Sequence, residues 1–231
     1  MLRIALLMPV LDEAECLPGV LPAWIAACAA AGSGRVVVCD NGSTDGSPEL
    51  ARSLGAEVVH APRRGYGSAL QAGLRHLAAG DAPDVVVIVD ADGASDPRDL
   101  PVLLAPLVAG VADLVVGDRT RLAAPGALTR AQRAGNAVAT RAIALRTGLR
   151  TRDLGPLRAV RYPALVALGM VDPTWGWNVE MHMKAARSKL RVEEVSVRYT
   201  PRIAGRSKIS GTWRGAARAG ARMLEACWRY G

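Results

Sequence analysis

The sequence predicts an α/β fold with a mainly parallel sheet covered by helices on both faces. Short runs rich in Val, Ile and Leu alternate with longer helical patterns through the first half of the chain. Half of the 231 residues are hydrophobic, Phe is absent and aromatic residues are few. Such a composition is typical of a core built from buried aliphatic strands. The length suits one large domain with a single core.

The first half of the chain carries the clearest elements. The predicted strands cover Arg3 to Met8, Arg35 to Cys39, Glu57 to His60, Val85 to Val89 and Leu114 to Val116. The predicted helices cover Leu17 to Ala31, Pro48 to Leu54, Tyr66 to Ala79 and Pro97 to Ala109. Ser47 and Asp96 are predicted N-caps, because each precedes a proline at the first helical position. Alternation of this kind requires right-handed crossovers and a parallel sheet.

The second half of the chain is less regular. Its predicted elements are a helix from about Thr129 to Leu145, a turn through Asp153 and Pro156, a short helix after Tyr162, a helix from Asn178 to Ser188 and a strand from Leu190 to Val197. A loop rich in Gly, Arg and Lys then leads to a final helix. We expect one folded domain over residues 1–211 and a basic amphipathic helix over residues 212–231.

The charge of the chain points to a partner that carries phosphate. The net charge is +8, and the cations crowd the last third of the chain, from Arg141 to Arg229. Nucleic acid, an anionic membrane and a phosphorylated substrate all share this chemistry. The four cysteines and three histidines show no zinc-type spacing, so free thiols in a reducing compartment are expected. The first apolar run is too short for a signal peptide, so a cytoplasmic chain is expected.

Three acidic loops follow predicted strands, at the edge where sheets of this class bind ligands. They are Pro9 to Glu15, Asp40 to Gly46 and Asp90 to Asp96. In the third loop, Asp90 and Asp92 stand two residues apart, which places them on the same side of an extended backbone. They can share one Mg²⁺ or Mn²⁺ that also takes diphosphate oxygens, or one can bind the metal and the other a ribose hydroxyl. A capping role is less favoured, since Asp96 already supplies the cap.

The second loop has the sequence Asp40-Asn-Gly-Ser-Thr-Asp45-Gly, which by itself is most often only a turn. Its place after a strand favours ligand binding. Asp40 can accept hydrogen bonds from a ribose or a base, and Asp45 can brace the loop through nearby backbone N–H groups. Further along the chain, Trp175 and Trp177 suit either an acceptor platform or a partly buried aromatic patch.

Several motifs in a fixed order resemble the family 2 glycosyltransferases, and especially their dolichol-phosphate mannose synthase and polyprenyl-phosphate sugar synthase branch. The resemblance extends from about Ile4 to Ser210, and ordered motifs together are more specific than any one alone. It rests on Pro9-Val-Leu-Asp-Glu13, Asp40-Asn-Gly-Ser-Thr-Asp45, Gly65-Tyr-Gly-Ser-Ala69, Asp90-Ala-Asp92-Gly93, Val116-Gly-Asp-Arg119, Asp153-Leu-Gly-Pro-Leu-Arg158, Trp175-Gly-Trp-Asn-Val-Glu180 and Arg202-Ile-Ala-Gly-Arg-Ser207-Lys208.

The resemblance implies a glycosyltransferase A-type fold with a Rossmann-like sheet, a nucleotide diphosphate sugar as donor and inversion at the anomeric carbon. It implies that Asp90 and Asp92 serve the metal and the ribose, that Arg119 lies near a phosphate, and that Arg202, Ser207 and Lys208 form a phosphate-binding loop. The implied donor-binding set is completed by Pro9, Leu11, Glu13, Asp40, Asn41 and Ala91. Two departures stand out: Asn41 replaces the usual second acid of its motif, and Ala94 replaces a glutamine that relatives often have.

The acceptor decides whether a general base is needed. A lipid phosphate is already ionised near neutral pH, so the basic loop would only orient it. A hydroxyl acceptor must lose a proton, and the candidate bases are then Asp153 and Glu180. Asp92, Arg119 and these two acids are thus the candidate catalytic residues. A peripheral enzyme whose basic C-terminal helix contacts an anionic membrane surface is the preferred interpretation, and a solvated helix packed on the domain is its alternative.

Two rival functions are disfavoured by the motifs. A nucleotidyltransferase would need a glycine-rich loop with Arg or Lys after the first strand, whereas here that loop contains Asp12 and Glu13. A nucleic-acid-binding domain would account for the charge but not for Asp90 and Asp92. We therefore expect no nucleic acid partner. The nucleotide, the sugar, the acceptor and the oligomeric state stay open at this point.

Overall fold

The computed structural model describes residues 1–205 and 225–230, and its elements follow the predicted alternation. The strands are β1 (Arg3–Val10), β2 (Ser33–Asp40), β3 (Glu57–His60), β4 (Val85–Ile88), β5 (Leu114–Ala123), β6 (Arg158–Arg161) and β7 (Val192–Tyr199). The helices are α1 (Leu17–Ala31), α2 (Ser47–Ser53), α3 (Tyr66–Ala78), α4 (Leu100–Val108), α5 (Arg130–Thr147), α6 (Tyr162–Leu168) and α7 (Trp177–Arg187), with a 3₁₀ turn over Pro97–Asp99.

The strands of the described residues form one seven-stranded sheet in the order β3-β2-β1-β4-β6-β5-β7. All neighbouring pairs are parallel except those of β6, which runs antiparallel between β4 and β5. The prediction of an α/β fold with a mainly parallel sheet is confirmed. Because β2, β1 and β4 are adjacent and parallel, the three acidic loops that follow them meet at one edge of the sheet.

Alternate residues of the central strands enter two separate hydrophobic clusters, as the two-residue period of a strand requires. In β1, Ile4, Leu6 and Met8 pack with residues of α1 and α4 on one face of the sheet. Ala5 and Leu7 pack with residues of α3 and α7 on the other face. All five side chains are at most 1% exposed. The sheet is therefore buried on both sides by aliphatic residues, which agrees with the lack of Phe.

The two predicted N-caps have different outcomes. The side chain of Asp96 accepts a hydrogen bond from the backbone N–H of Arg98 and caps the 3₁₀ turn, as predicted. Ser47 is not an N-cap, because α2 begins at Ser47 itself and Gly46 precedes it in the left-handed conformation. The Ser47 hydroxyl donates to Asp45 at 2.6 Å and accepts from the backbone N–H of Glu13 at 2.9 Å. The Ser47 hydroxyl thus forms its hydrogen bonds with the acidic loops and does not cap α2.

Strand β6 is the element that the sequence pattern does not predict. It contains only four residues, begins and ends with arginine, and follows Gly155 and Pro156, which indicate a turn. Its central residues Ala159 and Val160 are fully buried. A strand this short shows no clear alternation of polar and apolar residues. It is a strand because it pairs with β4 and β5.

The C-terminal predictions fall mostly outside the described residues. Ser207, Lys208 and the first part of the predicted helix over residues 212–231 lie there. Residues 225–230 are helical, and Ala226, Cys227 and Tyr230 pack against Ala139 and Ile143 of α5. Among the helices of the described residues, none combines the length and the apolar character that crossing a bilayer requires.

The four cysteines are buried and form no disulfide, as predicted. Burial raises the pKa of the Cys28 and Cys39 thiols to about 12. Since the thiolate is the reactive form, these side chains act as small apolar residues of the core.

Replacing Gly67 tests how closely α3 packs on the loop before α7. A Cβ atom on Gly67 would collide with the backbone carbonyl oxygen of Asp172. Although alanine has the higher helix propensity, we expect Gly67→Ala to lower the free energy of unfolding by about 1–3 kcal/mol. Urea denaturation measures this change. The matched control is Gly135→Ala in α5, where a Cβ atom would meet nothing within 4 Å, and where we expect a gain of about 0.5–1 kcal/mol. Equal stabilisation by both substitutions would contradict the close packing.

Candidate active site

The first two acidic loops are tied together at the carboxyl edge of the sheet. Asp12 accepts a hydrogen bond from the backbone N–H of Thr44 at 2.7 Å. Asp45 accepts from the backbone N–H groups of Ala14 and Ser47 at 2.9 and 3.0 Å, so it braces the loops as predicted. These acids therefore hold the shape of the edge.

Asp40 ends β2 and is 3% exposed. Its carboxylate accepts hydrogen bonds from the backbone N–H groups of Gly42 and Ser43 at 3.2 and 3.0 Å, and one oxygen lies 3.0 Å from Nδ1 of His60. Burial would raise the pKa of Asp40, but the hydrogen bonds from Ser43 and His60 outweigh it and hold the pKa below its ordinary value. Asp40 is thus a fixed, ionised acceptor at the edge, which suits a hydrogen bond from a donor N–H or O–H group.

The two departures from the family pattern have structural roles. The side-chain oxygen of Asn41 accepts from the backbone N–H of Gly65 at 2.6 Å and so joins the second loop to the start of α3. Ala94 is 2% exposed and packs with Leu128 and Tyr199, while its backbone N–H donates to Asp92 at 3.0 Å. Ala94, which stands where relatives often have glutamine, thus orients Asp92 through its backbone N–H group.

Asp90 and Asp92 lie beyond the end of β4, and both are partly exposed. Burial, followed by the negative charge of Asp92, raises the pKa of Asp90 to about 7, against the lowering effects of Arg119 and Tyr66. Glu13 adds to the negative charge felt by Asp90. Carboxylates this close repel one another, so the edge favours an added cation.

The carboxylates of Asp90 and Asp92 are the groups that could hold that cation. Within residues 1–205 and 225–230, no set of three or more His, Cys, Asp or Glu side chains is arranged to enclose a metal ion. Two carboxylates fit Mg²⁺ or Mn²⁺, because these ions prefer oxygen ligands and keep waters or substrate phosphates in their other positions.

Arg202 bridges the acidic cluster from the segment that follows β7. Its guanidinium contacts the carboxylate of Glu13 and lies 4.0 Å from an oxygen of Asp92. The next residue, Ile203, donates its backbone N–H to the Asp92 carbonyl at 3.1 Å, and its side chain covers Gly93. Arg202 is therefore held against the acidic residues of two loops.

Arg119 and Asp153 form a buried ion pair on the other side of Asp90. Two nitrogens of Arg119 donate to the two carboxylate oxygens of Asp153, each at 2.7 Å, and Asp153 is 1% exposed. The guanidinium also stacks on Tyr199, with 4.9 Å to the ring centroid. Glu194 of β7 accepts from the backbone N–H groups of Arg152 and Asp153 and thereby fixes this pair. Glu194 is a positioning residue that sequence patterns did not indicate.

A pocket of about 360 Å³ opens beyond this ion pair, between the end of β5 and one side of α5. We call it the α5 pocket. Its walls combine arginines with polar side chains of α5, namely Arg119, Arg133, Arg141, Arg152, Gln132, Asn136 and Thr140. Sequence motifs did not indicate these α5 residues. A signal does exist, since residues 119–152 contain eight arginines and no acid.

Glu180 does not reach the open edge. It is fully buried, and its two oxygens accept from the backbone N–H groups of Val171 and Asp172 at 2.8 and 2.7 Å. Lys184 lies 2.7 Å from the same carboxylate. In this arrangement Glu180 holds the loop before α7 and cannot take a proton from a substrate in the cleft. Trp177 is also fully buried, in a cluster of aliphatic residues, so it cannot form an acceptor platform.

The remaining predicted donor-binding residues sit around the same edge. Pro9 and Leu11 are partly exposed at the end of β1 and in the loop after it, and Glu13 is 9% exposed. Ala91 is buried between Asp90 and Asp92. The structure thus brings together every predicted residue that it describes except Glu180.

Comparison with known proteins identifies the family. The glycosyl transferase family 2 model matches residues 6–159. An uncharacterized glycosyltransferase of Mycobacterium tuberculosis is 42% identical over 213 residues, which cover 92% of each chain. A dolichyl-phosphate hexose transferase of Haloferax volcanii is 33% identical over 83% of this chain and 80% of the relative. An undecaprenyl-phosphate mannosyltransferase of Micrococcus luteus is 31% identical over 91% of this chain and 88% of the relative.

Solved structures confirm the fold. The glucosyl-3-phosphoglycerate synthase of Mycobacterium tuberculosis, in complex with Mn²⁺, UDP-glucose and phosphoglyceric acid, superimposes with a TM-score of 0.71 at 23% identity, over 98% of this chain and 80% of that one. The chain thus has a glycosyltransferase A-type fold. The chain belongs to glycosyltransferase family 2 and is a glycosyltransferase.

Proposed function

We propose that this glycosyltransferase moves a hexose from a UDP- or GDP-sugar to a polyprenyl or dolichyl phosphate, with inversion and with Mg²⁺ or Mn²⁺ at Asp90 and Asp92. The observation that carries the acceptor is the α5 pocket, where four arginines surround a cavity beside the donor edge. Arginine is well suited to hold phosphate through several hydrogen bonds. A cytoplasmic enzyme that contacts the membrane peripherally would meet such an acceptor at the bilayer surface.

The chemistry follows from the charges at the edge. When bound, the metal ion would stabilise the negative charge that grows on the leaving diphosphate. Arg202, which contacts Glu13 and lies 4.0 Å from Asp92, would also bind the diphosphate. Asp40 would accept a hydrogen bond from the nucleoside. Ser207 and Lys208 complete the proposed phosphate-binding loop on the strength of the family motif alone.

A phosphate acceptor is favoured over a hydroxyl acceptor because, among the described residues that line the α5 pocket, no carboxylate is free to act as a base. Both oxygens of Asp153 accept hydrogen bonds from Arg119, and Glu180 is buried. An ionised phosphate oxygen is already a nucleophile and needs only to be positioned. The names of two relatives, which specify dolichyl phosphate and undecaprenyl phosphate, support this choice.

A donor and acceptor panel tests the proposal. UDP- and GDP-sugars are incubated with Mn²⁺ or Mg²⁺ and with either a short polyprenyl phosphate or the corresponding polyprenol. We expect transfer to the phosphate and none to the alcohol, since the two acceptors differ only in the group that the arginines would hold. Equal transfer to the alcohol would refute the phosphate acceptor.

Replacing Asp92 tests the metal. We expect Asp92→Asn to reduce transfer by at least about a hundredfold, because the metal loses a charged ligand at the point where leaving-group charge develops. Calorimetric titration with the nucleoside diphosphate should also lose its dependence on Mn²⁺. The matched control is Asp96→Asn in the same loop, whose carboxylate caps the 3₁₀ turn and should leave transfer within a few-fold of the native rate. Full activity of the Asp92 variant in the presence of a chelator would remove the metal from the mechanism.

Replacing Glu180 separates a structural role from a catalytic one. We expect Glu180→Gln to lower the free energy of unfolding by about 1–3 kcal/mol, because one buried backbone donor loses its acceptor. The rate of transfer at a temperature where the variant is folded should stay within a few-fold of native. Denaturation curves and initial rates measure the two effects, and Glu193→Gln, at an exposed site, is the control. Unchanged stability with lost transfer would instead assign Glu180 to catalysis.

Replacing pocket arginines tests the acceptor site. We expect Arg133→Gln and Arg141→Gln each to raise KM for the short polyprenyl phosphate about tenfold or more, because each would lose a charge-assisted hydrogen bond. The KM for the sugar nucleotide should not change. Arg130→Gln in the same helix, outside the pocket lining, is the control. A change in the KM for the donor alone would show that these arginines bind the donor and not the acceptor.

A further inference from the structure

One segment of this protein carries many positive charges and no acidic residue. Residues 119–152 contain eight of the 29 Lys and Arg residues and none of the 21 Asp and Glu residues. The rest of the chain therefore has 21 residues of each sign and is neutral. The net charge of +8 equals the charge of this segment, which comprises the end of β5, α5 and the turn that follows.

Most of this charge faces solvent. Arg119 is paired with Asp153, and Arg152 lies 4.0 Å from Asp118. The other six are exposed, and none of them forms an ion pair with an acidic residue of the described chain; they are Arg121, Arg130, Arg133, Arg141, Arg146 and Arg150. Unbalanced surface charge of one sign attracts a partner of the opposite sign.

The outward side of α5 is also apolar. Ala131, Ala134, Val138 and Leu145 are exposed and recur at helical spacing, so they form one stripe along the helix. Val138 is 50% exposed and Leu145 is 87% exposed. We call these four residues the α5 stripe. Ala139 and Ile143, on the opposite side, pack into the core, so the stripe cannot be explained by burial within the domain.

Arginines border the α5 stripe on both sides. At 100° per residue, Arg130 and Arg141 lie on one flank and Arg146 on the other. The guanidinium of Arg146 stacks on Trp228, with 4.6 Å to the ring centroid, and this tryptophan is 75% exposed. An apolar stripe with cationic flanks and an exposed tryptophan is the pattern of a helix that lies in a membrane interface.

We propose that α5, with its stripe and flanking arginines, is the surface that docks this protein on a bilayer containing anionic lipid. The apolar side chains would enter the boundary between headgroups and acyl chains, while the arginines would meet the lipid phosphates. A nucleic acid could contact the arginines, but it would leave the apolar stripe in water. The bilayer satisfies both features.

The docking surface on α5 lies next to the α5 pocket. The link between them rests on the proposed function. Arg141 borders the α5 stripe and also lines the α5 pocket. A lipid phosphate could thus pass from the bilayer surface into the pocket along one helix, without leaving the headgroup region.

Vesicle sedimentation with the full chain tests the surface without any donor or acceptor. The test variant is Val138→Glu with Leu145→Glu, and the matched control is Val108→Glu with Val166→Glu, which lie elsewhere at 68% and 57% exposure. Both double variants replace two exposed aliphatic side chains and add the same charge. Because all four sites are exposed, both variants should have the same midpoint temperature of unfolding as the native protein. Thermal denaturation checks this.

The native protein should bind vesicles of phosphatidylcholine with phosphatidylglycerol, bind vesicles of phosphatidylcholine alone far less, and dissociate as salt is raised. We expect the test variant to lose at least about tenfold in binding and the control to bind as the native protein does. Equal binding by both variants overturns the proposal. So does failure of the native protein to bind anionic vesicles while it binds a single-stranded oligonucleotide at the same salt concentration.

Transfer to a short soluble polyprenyl phosphate separates this surface from the proposed function. Both double variants should retain that activity, and only the test variant should lose transfer to a long-chain acceptor embedded in anionic vesicles. Vesicle binding without any transfer would refute the acceptor and leave the docking surface supported. Transfer to the soluble acceptor, with equal vesicle binding by both variants, would refute the docking surface and leave the acceptor supported.

Discussion

Mutual repulsion among carboxylates at the end of the central strands is the constraint that organises the active-site edge. Asp90 and Asp92 share the end of β4, and Glu13 adds a third negative charge nearby. In this structure, Arg202 and Arg119 supply the compensating charge from two sides. The sheet brings the acids together, and the segments after β5 and β7 bring the cations. In the proposed function, a donor bound at this edge would replace these ionic partners with a metal ion and a diphosphate.

Much of the fold could be predicted because the strands that carry the edge are aliphatic runs that end in carboxylates. The same signal could not distinguish acids that bind a ligand from acids that hold a loop. Asp12 and Asp45 accept hydrogen bonds from backbone N–H groups of the neighbouring loop, whereas Asp90 and Asp92 interact with each other and with arginine side chains. Glu180 resembles a catalytic acid in its motif, yet it is buried against two backbone amides. Burial depends on tertiary packing, which no local pattern records.

The α5 pocket was harder to predict than the acidic edge for a related reason. The acidic edge follows from loops that each contain a compact motif, while the α5 pocket joins Arg119, three further arginines and Asp153 across more than thirty residues of chain. Only the folded arrangement of β5 and α5 turns these scattered side chains into a cavity. Glu194, which fixes the pair through backbone amides, belongs to yet another strand.

Strand β6 has a consequence for the order in which the protein assembles. In the described sheet, β5 and β7 pair with the first four strands only through β6, although β6 follows β5 in the chain. The half of the sheet that bears the acidic loops can thus pair its strands once β4 has been synthesised, but β5 must wait for a four-residue strand made about 35 residues later. Nascent chains that stop before residue 158 would lack the strand through which β5 joins the first four strands.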